Sequence, residues 1–267
     1  MKPRNITLTI FTLTALVGPF QFLTPARAED PYAAGMKYFE KSDMRNAVTQ
    51  FNKAIQAKPT DANLYNKRGE AYEFLDQRKN ARKDYDKAIA LDPKNARAYF
   101  NRAHLYRGEK SLDKAIADYD KAVKFDPKMV DAFGDRGMLY KELGKTDLAI
   151  KDFTSVVAVD PKLRWPLVQR GLIYLDAKQF DKAIADFDQI VKLDPKNFDS
   201  YELRGRGYYV KGDYKKAVED FTQVIKLSPD YAGGYKYRYD VYVKLEGKNS
   251  KNAKADLALA KKHGYSP

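Results

Sequence analysis

Six prolines, Pro59, Pro93, Pro127, Pro161, Pro195 and Pro229, stand 34 residues apart. Ala47, Ala81, Ala115, Ala149, Ala183 and Ala217 keep the same step, as do the aromatics Phe51, Tyr85, Tyr119, Phe153, Phe187 and Phe221. A further column runs Tyr38, Tyr72, Tyr106, Tyr140, Tyr174, Tyr208 and Tyr242. Four columns at one period are the mark of a repeat array. One small unit recurs, cannot bury its apolar face alone, and shares a continuous core with its neighbours.

The unit is clearest at 198–231, FDSYELRGRGYYVKGDYKKAVEDFTQVIKLSPDY. Counting Phe198 as position 1, Tyr201, Gly205, Tyr208, Ala217, Phe221 and Pro229 occupy positions 4, 8, 11, 20, 24 and 32. This pattern resembles the tetratricopeptide helix–turn–helix repeat, with Tyr in place of its Trp and Arg204 in place of its Leu. The resemblance covers the chain from residue 29 onward. It implies an all-α, right-handed solenoid of about seven hairpins. The units are 28–61, 62–95, 96–129, 130–163, 164–197, 198–231 and 232–267.

Each column has a physical reason. Small residues at positions 8 and 20 let two helices approach, and aromatics at 11 and 24 fill the space beside the contact. Proline at 32 ends the second helix. Within AVEDFTQVIKL, Ala217, Val218, Phe221, Val224 and Ile225 follow the 3–4 spacing of a buried helical stripe. Asp30-Pro31 is a helix N-cap followed by Pro at the first helical position. The last unit carries Tyr239 where a small residue is expected, which argues against close helix approach there. Its loop, EGKNSKN, is two residues longer, so Ala253 and Leu257 take positions 20 and 24. Gly264 closes its final helix.

Residues 1–28 read as an export signal: Lys2 and Arg4, an apolar core ITLTIFTLTAL, and Ala26-Arg27-Ala28 as the cleavage site. Gly18, Pro19 and Gln21 interrupt the core before it reaches the roughly 20 apolar residues of a membrane anchor. The expectation is a mature chain from near Glu29, exported, with the bacterial periplasm as its compartment. Removing Lys2, Arg4 and Arg27 lowers the net charge from +13 to +10. Such a charge suits contact with an anionic envelope surface.

There is no Cys and there are two His, His104 and His263. That composition rules out thiol chemistry and disfavours a metal site or a histidine relay. No nucleotide-binding loop and no nucleophile motif appears. No catalytic residue, metal or cofactor is expected.

Two charged columns depart from the generic repeat. Arg68, Arg102, Arg136, Arg170, Arg204 and Arg238 hold position 7; Asp84, Asp118, Asp152, Asp186, Asp220 and Asp256 hold position 23. The first unit has Ala34 and Gln50 instead. Pairing within each unit gives every Arg one Asp, so a bridge between the two helices of units two to seven is expected. An Arg ladder can also bind nucleic acid, but the matching Asp column neutralises it, and no nucleic-acid partner is expected.

The resemblance further implies that positions 2, 5, 6, 9 and 12 face a concave groove lined by first helices. The family's carboxylate clamp is not matched: Asn66, Glu70 and Asn101 are followed by Gly134 and Met138. A continuous Asn column is also missing. The third unit, with Arg97, Phe100, Asn101, His104 and Arg107, is expected to form a cationic, aromatic patch. Trp165, Arg206, Tyr209 and Asn66 would line the same groove. The implied function is a non-catalytic adaptor holding a protein or peptide.

Overall fold

The computed structural model describes residues 30–266, and the expected export signal lies outside them. Among the described residues there are fourteen α-helices, arranged as seven successive hairpins. These are α1 (Pro31–Glu40) with α2 (Met44–Ala57), α3 (Ala62–Phe74) with α4 (Arg78–Leu91), and α5 (Ala96–Gly108) with α6 (Leu112–Phe125). Then come α7 (Val130–Glu142) with α8 (Thr146–Val159), α9 (Arg164–Asp176) with α10 (Phe180–Leu193), α11 (Phe198–Lys211) with α12 (Tyr214–Leu227), and α13 (Ala232–Glu246) with α14 (Lys251–Lys262). Each helix packs chiefly on its neighbours in the chain, which makes the assembly a solenoid.

The hairpin is built the same way in every complete 34-residue unit. Each first helix ends when the residue at position 15 takes a left-handed conformation: Ser42, Asp76, Lys110, Gly144, Lys178 and Gly212. The next amide then donates back to the carbonyl of the position-11 tyrosine, as Asp43 does to Tyr38 and Lys145 to Tyr140. This is the six-to-one bond of a Schellman turn. Between units, Asp92, Asp126 and Asp160 each accept from the amide two residues on, which bends the chain around the following proline. Asp30 caps α1 by accepting from the Tyr32 amide, with Pro31 at the first helical position. Gly264, with φ +99°, lies one residue past the cap of α14.

In five of the hairpins a glycine at position 8 (Gly35, Gly69, Gly137, Gly171, Gly205) lies under the ring at position 24, and Ala103 takes that place in the third. A Cβ on Gly171 would stand 2.5 Å from the Phe187 ring, and one on Gly35 2.6 Å from Phe51. Tyr85, Tyr119, Phe51, Phe153, Phe187 and Phe221 are thereby almost wholly buried, each contributing roughly 1.5–3 kcal/mol. In the last unit Ala253 is buried, Tyr239 is half-buried, and Arg238 reaches Asp256 across the longer loop.

The charged columns form the second structural element. Each position-7 guanidinium holds its own unit's Asp with two bonds: Arg136 Nε to Asp152 at 2.8 Å and Arg136 Nη2 to the same carboxylate at 2.6 Å. The third nitrogen does what the pairing argument from sequence omitted: it reaches back to position 25 of the preceding unit. The acceptors are Asn52, Asp86, Asp120, Thr154, Asp188 and Thr222. Each Arg therefore joins three helices, two from its own unit and one from the unit before. Rings at positions 4 and 11 sandwich several of these groups; Arg68 lies 5.6 Å from Tyr65 and 5.8 Å from Tyr72. Among the described residues no second helix precedes α1, so an arginine in place of Ala34 would lack its backward acceptor.

Candidate functional site

First helices of adjacent units stand side by side and bond directly through their side chains. His104 Nε2 lies 2.7 Å from Asp135, Lys141 donates to Gln169 at 2.8 Å, and Arg164 donates to Ser200 at 3.1 Å. This makes one continuous wall of α3, α5, α7, α9 and α11. Two of the hollows along it lie at equivalent places in their repeats.

The first, of about 590 Å³, lies between α3 and α5. It is lined by Lys67, Glu70, Glu73, Phe74, Arg97, Phe100, Asn101 and His104. Its floor is a polar network. Asn66 donates to Glu70 at 2.8 Å, Asn101 donates to Asn66 and to Glu70, each at 3.0 Å, and Lys67 pairs with Glu70 at 2.8 Å. Glu70 is thus fully engaged. Glu73 accepts only from the Tyr85 hydroxyl, at 2.9 Å. Burial and the Glu73 carboxylate push the Tyr85 hydroxyl far above its ordinary range, so it stays a donor. Phe74 stands at the lip, 70% exposed, with its ring edge-on to Phe39 at 5.5 Å.

The second hollow, of about 180 Å³, lies between α11 and α13 and is lined by Arg206, Tyr209, Val210, Phe221, Tyr237 and Asp240. Tyr237 stacks on Phe221 at 5.4 Å, Asp240 is paired with Lys236, and Val210 at the lip is 48% exposed.

The expected third-unit patch changes in three respects. Phe100 is core: it is 8% exposed and packs with Ala103, Tyr119 and Met129, while the Arg97 guanidinium covers its ring at 5.4 Å. Asn66 and Asn101 are buried and bonded to each other, with Asn101 in the floor of the first hollow. The cationic character is cancelled by the next unit, since Arg97 faces Asp131 at 3.7 Å, His104 meets Asp135, and Arg107 pairs with Glu142 at 2.5 Å. The physical reason is the stacking itself: Asp131, Asp135 and Glu142 lie 34, 31 and 35 residues beyond Arg97, His104 and Arg107, on the adjoining helix α7.

Trp165 is drawn partly out of the wall. Gly134 has no side chain, and the indole fills that space, 2.6 Å from where a Cβ would stand and edge-on to Phe153 at 6.1 Å. It remains 38% exposed. Arg206 and Tyr209 fall together in the second hollow, far from the third-unit group. Phe74 escaped the reading by columns because it stands at position 13. The signal was available, since that position is Glu40, Gly108, Glu142, Asp176 and Lys244 elsewhere, and apolar only at Phe74 and Val210.

The six Arg–Asp bridges carry their own electrostatics. Their Asp partners hold the position-7 guanidinium groups charged, raising them above their usual range. Burial pushes the Asp152 and Asp220 carboxyls up in spite of their Arg partners. Among the described residues no cluster of three or more His, Asp or Glu is placed to hold a metal.

Family models described as tetratricopeptide repeat match residues 96–129, 130–163 and 168–232, and a TPR repeat model matches 35–75 and 77–108. No curated protein matches the chain. Among solved structures it is similar to the C-terminal part of a TPR repeat-containing protein from Cytophaga hutchinsonii, at 20% identity and TM-score 0.70, over 88% of this chain and all of that one. It is also similar to a tetratricopeptide repeat protein from Parabacteroides merdae, at 23% identity and TM-score 0.55, covering 89% of this chain and 93% of that one. YrrB, described as a TPR protein with an unusual peptide-binding site, aligns at 24% identity and TM-score 0.59, over 70% of this chain and 96% of its own. At these identities the likeness speaks for the fold. With repeat models spanning most of its length and the same solenoid in its structural relatives, the chain belongs to the tetratricopeptide repeat family.

Proposed function

We propose that the protein is an exported, non-catalytic adaptor whose first-helix wall is a groove that holds a peptide or protein segment. The observation that carries this is the hollow between α3 and α5, where a largely exposed aromatic, Phe74, stands beside buried polar groups that are already satisfied. An exposed ring beside a preorganised polar floor suits an interface anchor. The peptide-binding site named for YrrB is a further support by analogy of fold. Residues 1–28 supply the reading of export, and the periplasm is the proposed compartment.

One preparation tests both halves. The protein, tagged at its C-terminus, is recovered from a periplasmic extract, its amino terminus is sequenced, and co-purifying proteins are compared with those of a Phe74→Ser variant. The expected terminus is near Glu29, with bound proteins depleted in the variant. Recovery of an intact Met1 terminus sinks the export reading, and an unchanged set of bound proteins sinks the groove.

A second reading has one observation in its favour. Lys53, Lys87 and Lys121 recur at position 26, exposed on α2, α4 and α6, and none forms an ion pair among the described residues. Several cations of the first-helix wall, by contrast, are paired. Contact with anionic envelope material, if it occurs, would then use the second-helix face and leave the groove open.

A further inference from the structure

The two hollows are the same place in two different repeats. One is bounded by positions 12 and 13 of the second unit, Glu73 and Phe74; the other by positions 12 and 13 of the sixth, Tyr209 and Val210. In the other units position 13 is charged or glycine. Both apolar lips thus stand at hollows, four repeats apart.

Their charges are opposite. At the first hollow Lys67 is committed to Glu70 and Arg97 faces Asp131 at 3.7 Å, while Glu73 holds only a neutral tyrosine hydroxyl, so its carboxylate is left without a paired cation. At the second, Asp240 is committed to Lys236, while Arg206 is exposed and forms no ion pair among the described residues. A cation is left uncompensated there.

Resting on the groove reading above, we propose that the wall holds one extended segment by two apolar anchors of opposite charge context. A basic residue with an apolar stem or neighbour seats beside Phe74 and Glu73, and an acidic residue with an apolar neighbour seats beside Val210 and Arg206. Four helix-to-helix steps of about 8–10 Å separate the hollows, roughly 32–40 Å. An extended chain advances about 3.3 Å per residue, so the anchors stand about 10–12 residues apart. Two linked contacts raise affinity well beyond either alone, which gives the spacing its selective value.

The test is selection from a phage-displayed library of random peptides about 18 residues long, enough to span both hollows at extended spacing. Affinities of the selected peptides are then measured against three variants, Phe74→Ala, Val210→Ser and Arg206→Glu, all at exposed positions. The expected peptides carry a basic–apolar pair and an acidic–apolar pair at the stated spacing. Phe74→Ala and Val210→Ser each weaken binding at least tenfold. Arg206→Glu, reselected, exchanges the acid for a base at that anchor alone. If the peptides carry one anchor, or if either apolar variant binds them unchanged, the two-anchor arrangement is wrong while the groove stands. If the library yields no binder, the groove reading falls with it.

Discussion

Tyr85 and Tyr119 occupy the same position in consecutive units, and their hydroxyls meet different fates. Tyr85 donates to Glu73; in the next unit Arg107 stands where Glu73 stood, and it turns to Glu142. Among the described residues the buried Tyr119 hydroxyl meets no partner in good hydrogen-bond geometry, and the Arg107 guanidinium beside it is directed to Glu142. A buried hydroxyl that finds no partner costs its full desolvation, whereas a satisfied one contributes about 1 kcal/mol. Tyr85→Phe is therefore expected to lose about 1 kcal/mol in urea denaturation, and Tyr119→Phe to lose nothing or gain. Equal losses for the two would show that the Tyr119 hydroxyl is satisfied after all. The repeat itself supports the comparison, because Phe51, Phe153, Phe187 and Phe221 fill this position elsewhere.

At the scale of the hairpin, the Arg–Asp bridge joins helices at a high cost in desolvation. Arg136 is held by Asp152 and Asp120 and stacked by Phe133 and Tyr140, yet burial still pushes the Asp152 carboxyl up. Desolvation thus offsets much of the attraction. Removing one partner strands the other charge, so Arg136→Met and Asp152→Leu alone are each expected to cost roughly 3–5 kcal/mol. The double variant should lose less than their sum by about 1–3 kcal/mol. Strict additivity in the denaturation midpoints would mean that the bridge couples nothing. The two columns and their intra-unit pairing were legible from spacing alone. The backward bond was not, because its acceptors at position 25 vary among Asn, Asp and Thr and make no column by identity. The left-handed turn at position 15 was hidden in the same way, since Ser42, Asp76, Lys110 and Lys178 share a backbone conformation and no side-chain chemistry.

At the scale of the whole molecule, the excess of positive charge is unevenly spent. Among the described residues the second-helix lysines Lys53, Lys87 and Lys121 form no ion pair, where several wall cations do. If that face meets anionic material, the protein should co-sediment with phosphatidylglycerol vesicles at low salt. It should be released at about 1 M salt, where the screening length falls to ~3 Å. A Lys53→Glu/Lys87→Glu/Lys121→Glu variant should fail to sediment. Sedimentation unaffected by the triple change would place the contact elsewhere.

The sequence by itself determined the repeat, its period, the number of hairpins and the residues that pack between their helices. It could do so because a core made of identical contacts imposes identical residues, and those show as columns. What only the tertiary structure decided is which side chains remain for a partner. Phe100, Asn66 and Asn101 were assigned to the groove by position and are buried; the third-unit cations were assigned by charge and are neutralised. Phe74 and Val210 reach the surface at positions that carry no column. These outcomes depend on the neighbouring unit, whose first helix supplies the acids and the space left by a glycine. A partner surface is made between repeats, and the residues that make it are those whose neighbours, rather than their own positions, settle their exposure.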